Sequence, residues 1–300
     1  MGKDSKIEWC HHTCNLVHGC THAQSIGCDN CYAETISKRW GRDIWGNDKP
    51  RLEIQSVWKN FATFQKLAKE ANEMHRVFVG SMMDIFEKPM PVINSKGVLQ
   101  KYDTDYIRQE YFYNIVPNTP NLMHLLLTKR PSNINKYIPE EWKTNPPENV
   151  MFGTSPVNQE TADRLIPQLL QVNGKRFLSV EPQLAEINLE KYLWVPRGKL
   201  ISDPLSGEAV IQTYCEECGS GGKYLKEPCD NMCAFKPISW VINGGESGGH
   251  KRPFNPDWAR VIREQCKAAG VPFFFKQMDK VQPIPKDLEI RQFPEMKLIA

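Results

Sequence analysis

Cys20, Cys28 and Cys31 are the residues in this sequence best placed to do chemistry, because three thiolates at short spacing can hold an iron–sulfur centre. Cys28 and Cys31 form a C-x-x-C pair, and Gly27 in front of them permits the tight backbone path that wrapping a cluster needs. Of the ten cysteines, five lie within residues 10–31, four within 215–233, and only Cys266 stands apart. Buried structural thiols would be scattered among the elements, so two tight groups indicate two sites. Residues 1–6 lack the apolar core of a secretory signal, and no run approaches the ~20 apolar residues of a membrane span. A cytoplasmic location with no membrane partner is therefore expected. In that reducing compartment clustered cysteines hold metals or do redox chemistry in preference to forming disulfides.

Spacing alone leaves the metal open. A structural zinc completed by His11, His12, His18 or His22 accounts for C-x7-C-x2-C as well as a cluster does. Three protein thiolates on a [4Fe-4S] cluster would leave one iron free, which is what radical S-adenosylmethionine (SAM) chemistry requires. The usual spacing for that chemistry, C-x3-C-x2-C, is absent here. Tyr32 beside the last cysteine and a helix directly after it favour the cluster. Cys10 and Cys14 are either further ligands, a nearby thiol pair, or inert.

The second group, Cys215, Cys218, Cys229 and Cys233, places four thiolates within 19 residues. Four cysteines at this spacing suit a closed structural zinc, with an auxiliary iron–sulfur cluster as the competing occupant. The surrounding stretch, residues 197–237, is rich in Gly, Pro and Cys and poor in apolar residues, so a metal staple suits an inserted subdomain. Lys223, Lys226 and Lys236 around it leave room for nucleic-acid contact or form a solvated face.

The elements that must position these groups alternate between short apolar runs and amphipathic stretches, the pattern of βα units around a parallel sheet. Strands are expected at 77–79, 123–127, 150–152, 177–180, 240–242 and 271–275, and helices over 35–40, 57–74, 105–116, 159–172 and 257–269. The last helix is framed by Asn255-Pro256 and by Gly270. Each apolar run ends in polar or small residues: Gly80-Ser81 with Asp84, Thr128-Lys129-Arg130, Gly153-Thr154-Ser155, Glu181, Gly244-Gly245-Glu246-Ser247 and Lys276-Gln277. Six such endings in succession predict an α/β fold, a TIM-like (βα) barrel, complete or partial, spanning residues 1–300. Its C-terminal rim would carry the active site. A net charge of +3, from 38 basic and 35 acidic residues, does not by itself announce nucleic-acid binding.

Several blocks resemble a phage- and bacteria-encoded, radical-SAM-like three-cysteine family of unknown function. They are Ile7-Glu8-Trp9, Gly19-Cys20-Thr21, Gly27 through Glu34 (GCDNCYAE), Val77 through Phe86, Leu127 through Pro131, Leu178 through Pro182, Trp240 through Gly248, and Gly270 through Gln277. Cys10 and Cys14 depart from that pattern, which has a hydroxyl residue and a Trp there. The resemblance implies a barrel with a [4Fe-4S] cluster on Cys20, Cys28 and Cys31, SAM as cofactor, and a flavodoxin- or ferredoxin-like electron donor. It implies no defined substrate, although its phage members point toward a nucleobase, a modified nucleotide or nucleic acid. On that reading Gly244 and Gly245 let backbone approach SAM closely, and Glu246 accepts from its ammonium or ribose. Lys129 and Arg130 meet its carboxylate or a substrate phosphate. Glu181 points into the rim, and Ser81, Asp84, Ser155 and Lys276 stand behind. Glu246, Lys129 and Glu181 are the catalytic candidates. The competing expectation is a zinc-stabilised nucleic-acid-binding or repair protein without redox chemistry.

Overall fold

The computed structural model describes residues 5–23, 25–193, 195–196, 198–202, 209–214, 221–222, 234–235, 238–279 and 281–298. Seven strands lie side by side in chain order: β1 (His12–Cys14), β2 (His75–Val79), β3 (Leu122–Thr128), β4 (Val150–Thr154), β5 (Lys175–Val180), β6 (Trp240–Asn243) and β7 (Phe273–Phe275). Every pairing between them is parallel. The sheet curls into a half-barrel within a mixed α/β fold.

Strand alternation sorts the apolar side chains onto two faces. Val77, Val79, Leu122, Leu126, Phe152, Leu178, Val180, Val241 and Phe275 join the main core with the helices. Phe78, Met123, Leu125, Met151, Phe177, Trp240, Ile242 and Phe274 form a second core with Trp9 and Cys10 on the other face. A parallel sheet covered on both faces reads as continuous apolar runs, which is why the runs themselves were legible as strands.

The outer layer includes α1 (Tyr32–Arg39), α2 (Val57–Ala71), α3 (Thr104–Glu110), α4 (Gln159–Leu170) and α5 (Pro256–Ala269). Asn255 caps α5, Pro256 occupies its first position, and Gly270 closes it in the left-handed conformation at φ 60°. α2 stops three residues short of the expected end because Asn72 turns left-handed at φ 53°. The helix expected over 105–116 divides into α3 and a wider π turn at Tyr111–Ile115, which carries both Tyr111 and Phe112 into the core.

Three features were not anticipated. β1 itself escaped notice, since three residues containing His12 and Cys14 carry no apolar run. A four-stranded sheet joins Val17–His18, Arg51–Glu53, Pro91–Ile93 and Leu99–Asp103, each too short to show a period. Residues 290–292 pair along the free edge of β7, with the Phe275 amide donating to the Ile290 carbonyl (3.0 Å) and the Gln292 amide to that of Phe273 (3.1 Å). Between β5 and β6, Gly198–Ser202, Ala209–Tyr214 and Gly221–Gly222 form a separate antiparallel sheet. Cys215, Cys218, Cys229 and Cys233 lie outside the described residues. Among the described residues no helix is long and apolar enough to cross a membrane.

The fold holds neutral histidine. His124 on β3 is fully buried between the Tyr111 hydroxyl (2.7 Å) and the Thr119 hydroxyl (2.9 Å), and burial lowers its pKa from 6.5 to about 3. Burial, with Arg76 nearby, lowers His11 to about 4. The unfolded chain therefore takes up protons below pH 6.5 that the folded chain refuses, so stability present above that pH falls as pH drops toward 4. For His124 the slope approaches about 1.4 kcal/mol per pH unit. Denaturant unfolding at pH 7.5, 6 and 5 should show this loss, and His124→Gln should flatten the curve. A profile unchanged by that substitution would contradict the assignment.

Candidate functional site

Where the strands end, a cavity of about 270 Å³ opens at the C-terminal rim. Its lining includes Cys20, Cys28, Cys31, Ser81, Asp84, Lys129, Arg130, Ser155, Glu181, Gly245, Glu246 and Lys276. Strand parity explains part of this gathering. Continuing the inward register of Leu127, Phe177, Ile242 and Phe274 past each strand end brings Lys129, Glu181, Glu246 and Lys276 to the same side.

The three cysteines are free thiols borne on two loops. Cys28 ends a 3-10 turn whose Ser25 hydroxyl accepts from the Gly27 amide (3.2 Å). Cys31 stands at the N-cap of α1. Burial is the largest influence on Cys31 and raises its pKa, while the Ala33 and Glu34 amides and Lys129 favour the thiolate. Burial likewise raises Cys20, reinforced by the charges of Asp84 and Glu87 and opposed by Arg130.

The Cys20 loop is anchored by a buried ion pair that no motif or spacing singles out. Arg51 donates twice to Glu87, from Nη2 to Oε1 at 2.7 Å and from Nε to Oε2 at 2.8 Å. Both side chains are almost wholly excluded from solvent. Arg51 also donates to the carbonyls of Ile44, Gly46 and Lys49. Glu87 then accepts from the Thr21 amide (2.6 Å) and hydroxyl, directly after Cys20. Gly19 fits here because its φ is +110° and a Cβ would sit 2.3 Å from the Ile44 carbonyl oxygen.

Glu246 has a different environment from the one expected. Its carboxylate accepts from the Arg252 amide (2.8 Å), Nε (3.2 Å) and Nη2 (2.7 Å) and from Asn30 Nδ2 (3.1 Å). Asn30 lies between Cys28 and Cys31, and Arg252 Nη2 also donates to the Ile26 carbonyl (3.0 Å). Glu246 thus ties the cysteine loop to the end of β6. Burial alone would raise its pKa, but these donors hold it below the usual carboxylate range. The neighbouring glycines admit this chain's own backbone: a Cβ on Gly245 would lie 1.8 Å from the Met278 carbonyl oxygen. Gly244 does not line the cavity but backs it, since a Cβ there would lie 3.2 Å from Glu181 Oε1.

Glu181 pairs with Lys276 (2.9 Å) and accepts from Trp9 Nε1 (3.2 Å) and the Ser179 hydroxyl (3.3 Å). Tyr32 donates to the Ser81 carbonyl (2.7 Å), and Asn15 Nδ2 to the Ser81 hydroxyl (2.9 Å). Among the described residues the Lys129 ammonium has no ion-pair or hydrogen-bond partner, so it is the cavity's available cation. Arg51, Glu87, Asn30, Arg252 and Trp9 were missed by sequence reasoning. Only Trp9 and Asn30 carried a signal, as members of recognised blocks.

Of the histidines considered as zinc ligands, His22 alone lines the cavity, and it pairs with Glu34 (2.7 Å). His11 accepts from the Arg76 amide, His12 meets His75 at 3.0 Å, and His18 meets Arg42 at 3.0 Å. Cys10 and Cys14 are buried in the two cores and stay out of the cavity lining. Among the described residues no three His, Cys, Asp or Glu side chains converge closely enough to hold a single metal ion.

In comparison with known proteins, residues 4–292 match the family described as "Protein of unknown function (DUF5131)". No curated protein and no solved structure matches the chain.

Proposed function

The chain belongs to that family of unknown function, and we propose that it is a cytoplasmic radical SAM enzyme on an incomplete TIM-like barrel. The observation that carries this reading is the meeting of Cys20, Cys28 and Cys31 on one rim cavity, with the histidines His11, His12 and His18 engaged elsewhere. Three thiolates are the protein ligand set that leaves one iron of an iron–sulfur cluster open. A [4Fe-4S] cluster held by these thiolates would leave one iron open to the amino and carboxylate groups of SAM and supply the electron that cleaves it.

The chain's own residues then have distinct tasks. Arg51, Glu87, Asn30, Glu246 and Arg252 hold the two cysteine loops in register. Lys129, without an ion-pair partner among the described residues, offers a positive charge to a carboxylate or phosphate. Ser155 and the Ser81 hydroxyl supply polar contact on the same wall, and Glu181 a carboxylate oriented by Lys276 and Trp9. Trp9, Phe78, Met82 and Leu127 contribute apolar lining to the cavity. A nucleobase or modified nucleotide as substrate, a flavodoxin- or ferredoxin-like donor, and zinc on Cys215, Cys218, Cys229 and Cys233 belong to the same proposal.

Anaerobic purification followed by incubation with SAM and dithionite tests it. The expected result is a brown protein that bleaches on reduction and releases 5′-deoxyadenosine. A colourless, zinc-only protein from the same preparation would reject it in favour of the zinc-stabilised reading.

A further inference from the structure

Arg130 lies against a cysteine, and its guanidinium is already occupied. Nη1 is 3.8 Å from the Cys20 sulfur and 2.7 Å from Asp84 Oδ2. Nη2 donates to the Thr21 carbonyl at 2.5 Å and to the Thr21 hydroxyl at 3.3 Å. Asp84 is held in turn by the Thr128 hydroxyl (2.7 Å), the Phe86 amide (3.0 Å) and the Lys129 amide (3.2 Å). The side chains of Arg130 and Asp84 are only 17% and 8% exposed, so their field is poorly screened by water. A guanidinium with both terminal nitrogens engaged in this way is not a free clamp for a cofactor carboxylate or a substrate phosphate.

The geometry points to Arg130 as a positioning residue that sets the reduction potential of the centre on Cys20, Cys28 and Cys31, with Asp84 as its counterweight. This inference rests on the iron–sulfur reading of those cysteines. Reduction adds one electron to a centre whose charge is shared with its thiolate ligands. A fixed cation and N–H donor at one ligand sulfur favour the reduced form, whereas an anion behind them favours the oxidised form. Neighbouring charge, hydrogen bonds to sulfur and solvent exposure are the levers a protein has on such a potential, and Arg130 applies the first two at one atom.

The test is a redox titration of the anaerobically purified protein, followed by electron paramagnetic resonance, with iron content measured on each sample. Arg130→Gln should lower the reduced-to-oxidised ratio at a fixed potential about tenfold, which is ~59 mV for one electron. Arg130→Lys, which keeps the charge, should fall less than half as far. Asp84→Asn should move the midpoint the opposite way, above that of the native chain. A role confined to loop structure would not give shifts of opposite sign. Loaded Arg130→Gln protein with an unmoved midpoint would overturn the inference. If Arg130→Gln fails to load, Asp84→Asn decides: a raised midpoint supports the inference, and an equal or lower one overturns it. A native protein without iron–sulfur signal would instead reject the reading beneath it.

Discussion

Replacing Cys20, Cys28 or Cys31 singly with Ala is expected to remove about four iron atoms per chain from anaerobically purified protein, together with the associated visible absorption. Each thiol lines the same cavity, and a cluster deprived of one of three protein ligands is no longer retained. Cys10→Ala and Cys14→Ala should keep the full complement, because those thiols are buried in the two apolar cores. Burial pushes the Cys10 thiol up to about 11, as suits a neutral core group. His22→Ala should also load normally, since a three-thiolate centre does not need it. The quantity to read is the difference from the native chain, so iron at a second site would not confuse it. Full loading in any of the three single variants would remove that residue from the ligand set. Loss of loading in His22→Ala would restore a mixed cysteine–histidine site.

The second large effect lies beneath the site. Glu87→Ala should destabilise the fold by about 3–5 kcal/mol, because it leaves the Arg51 guanidinium buried without its counter-charge. Replacing both partners by apolar residues, Arg51→Met with Glu87→Leu, should recover only part of that loss, since it removes the uncompensated charge but leaves the Ile44, Gly46 and Lys49 carbonyls and the Thr21 amide without these partners. Cluster loading should not recover in parallel. The Thr21 amide would still lack the carboxylate that fixes the Cys20 loop, so iron content should stay well below native in the double variant. Denaturant titration alongside iron assay separates the two outcomes. A double variant that regained both stability and iron would show that the Cys20 loop is held without Glu87.

Much of the fold was legible because a parallel sheet buried on both faces leaves unbroken apolar runs, and six of the seven strands carry one. The polar residues just beyond those runs could be placed on one rim, and the inward parity of Leu127, Phe177, Ile242 and Phe274 carries over to Lys129, Glu181, Glu246 and Lys276. β1 escaped because it is three residues long and polar in part. That in turn left Cys10 and Cys14 undecided, although their burial is a simple consequence of sitting at or beside a strand of the core.

The apolar runs place six of the seven strands and the side of the sheet on which polar residues gather, and the clustering of Cys20, Cys28 and Cys31 singles out three thiols that line the cavity there. Which of the charges there are already paired is settled by long-range contacts. Arg51 and Glu87 are 36 residues apart, Asn30 and Glu246 are 216 apart, and Arg130 reaches Cys20 across 110. No local pattern encodes such pairs, because an ion pair needs only closeness in space, and nothing in periodicity or spacing fixes which loops will face each other. That is why Glu246 and Arg130, read along the chain as hands for a cofactor, are found in the fold holding the loops that carry Asn30 and Cys20, while among the described residues the Lys129 ammonium at the rim has no ion-pair partner.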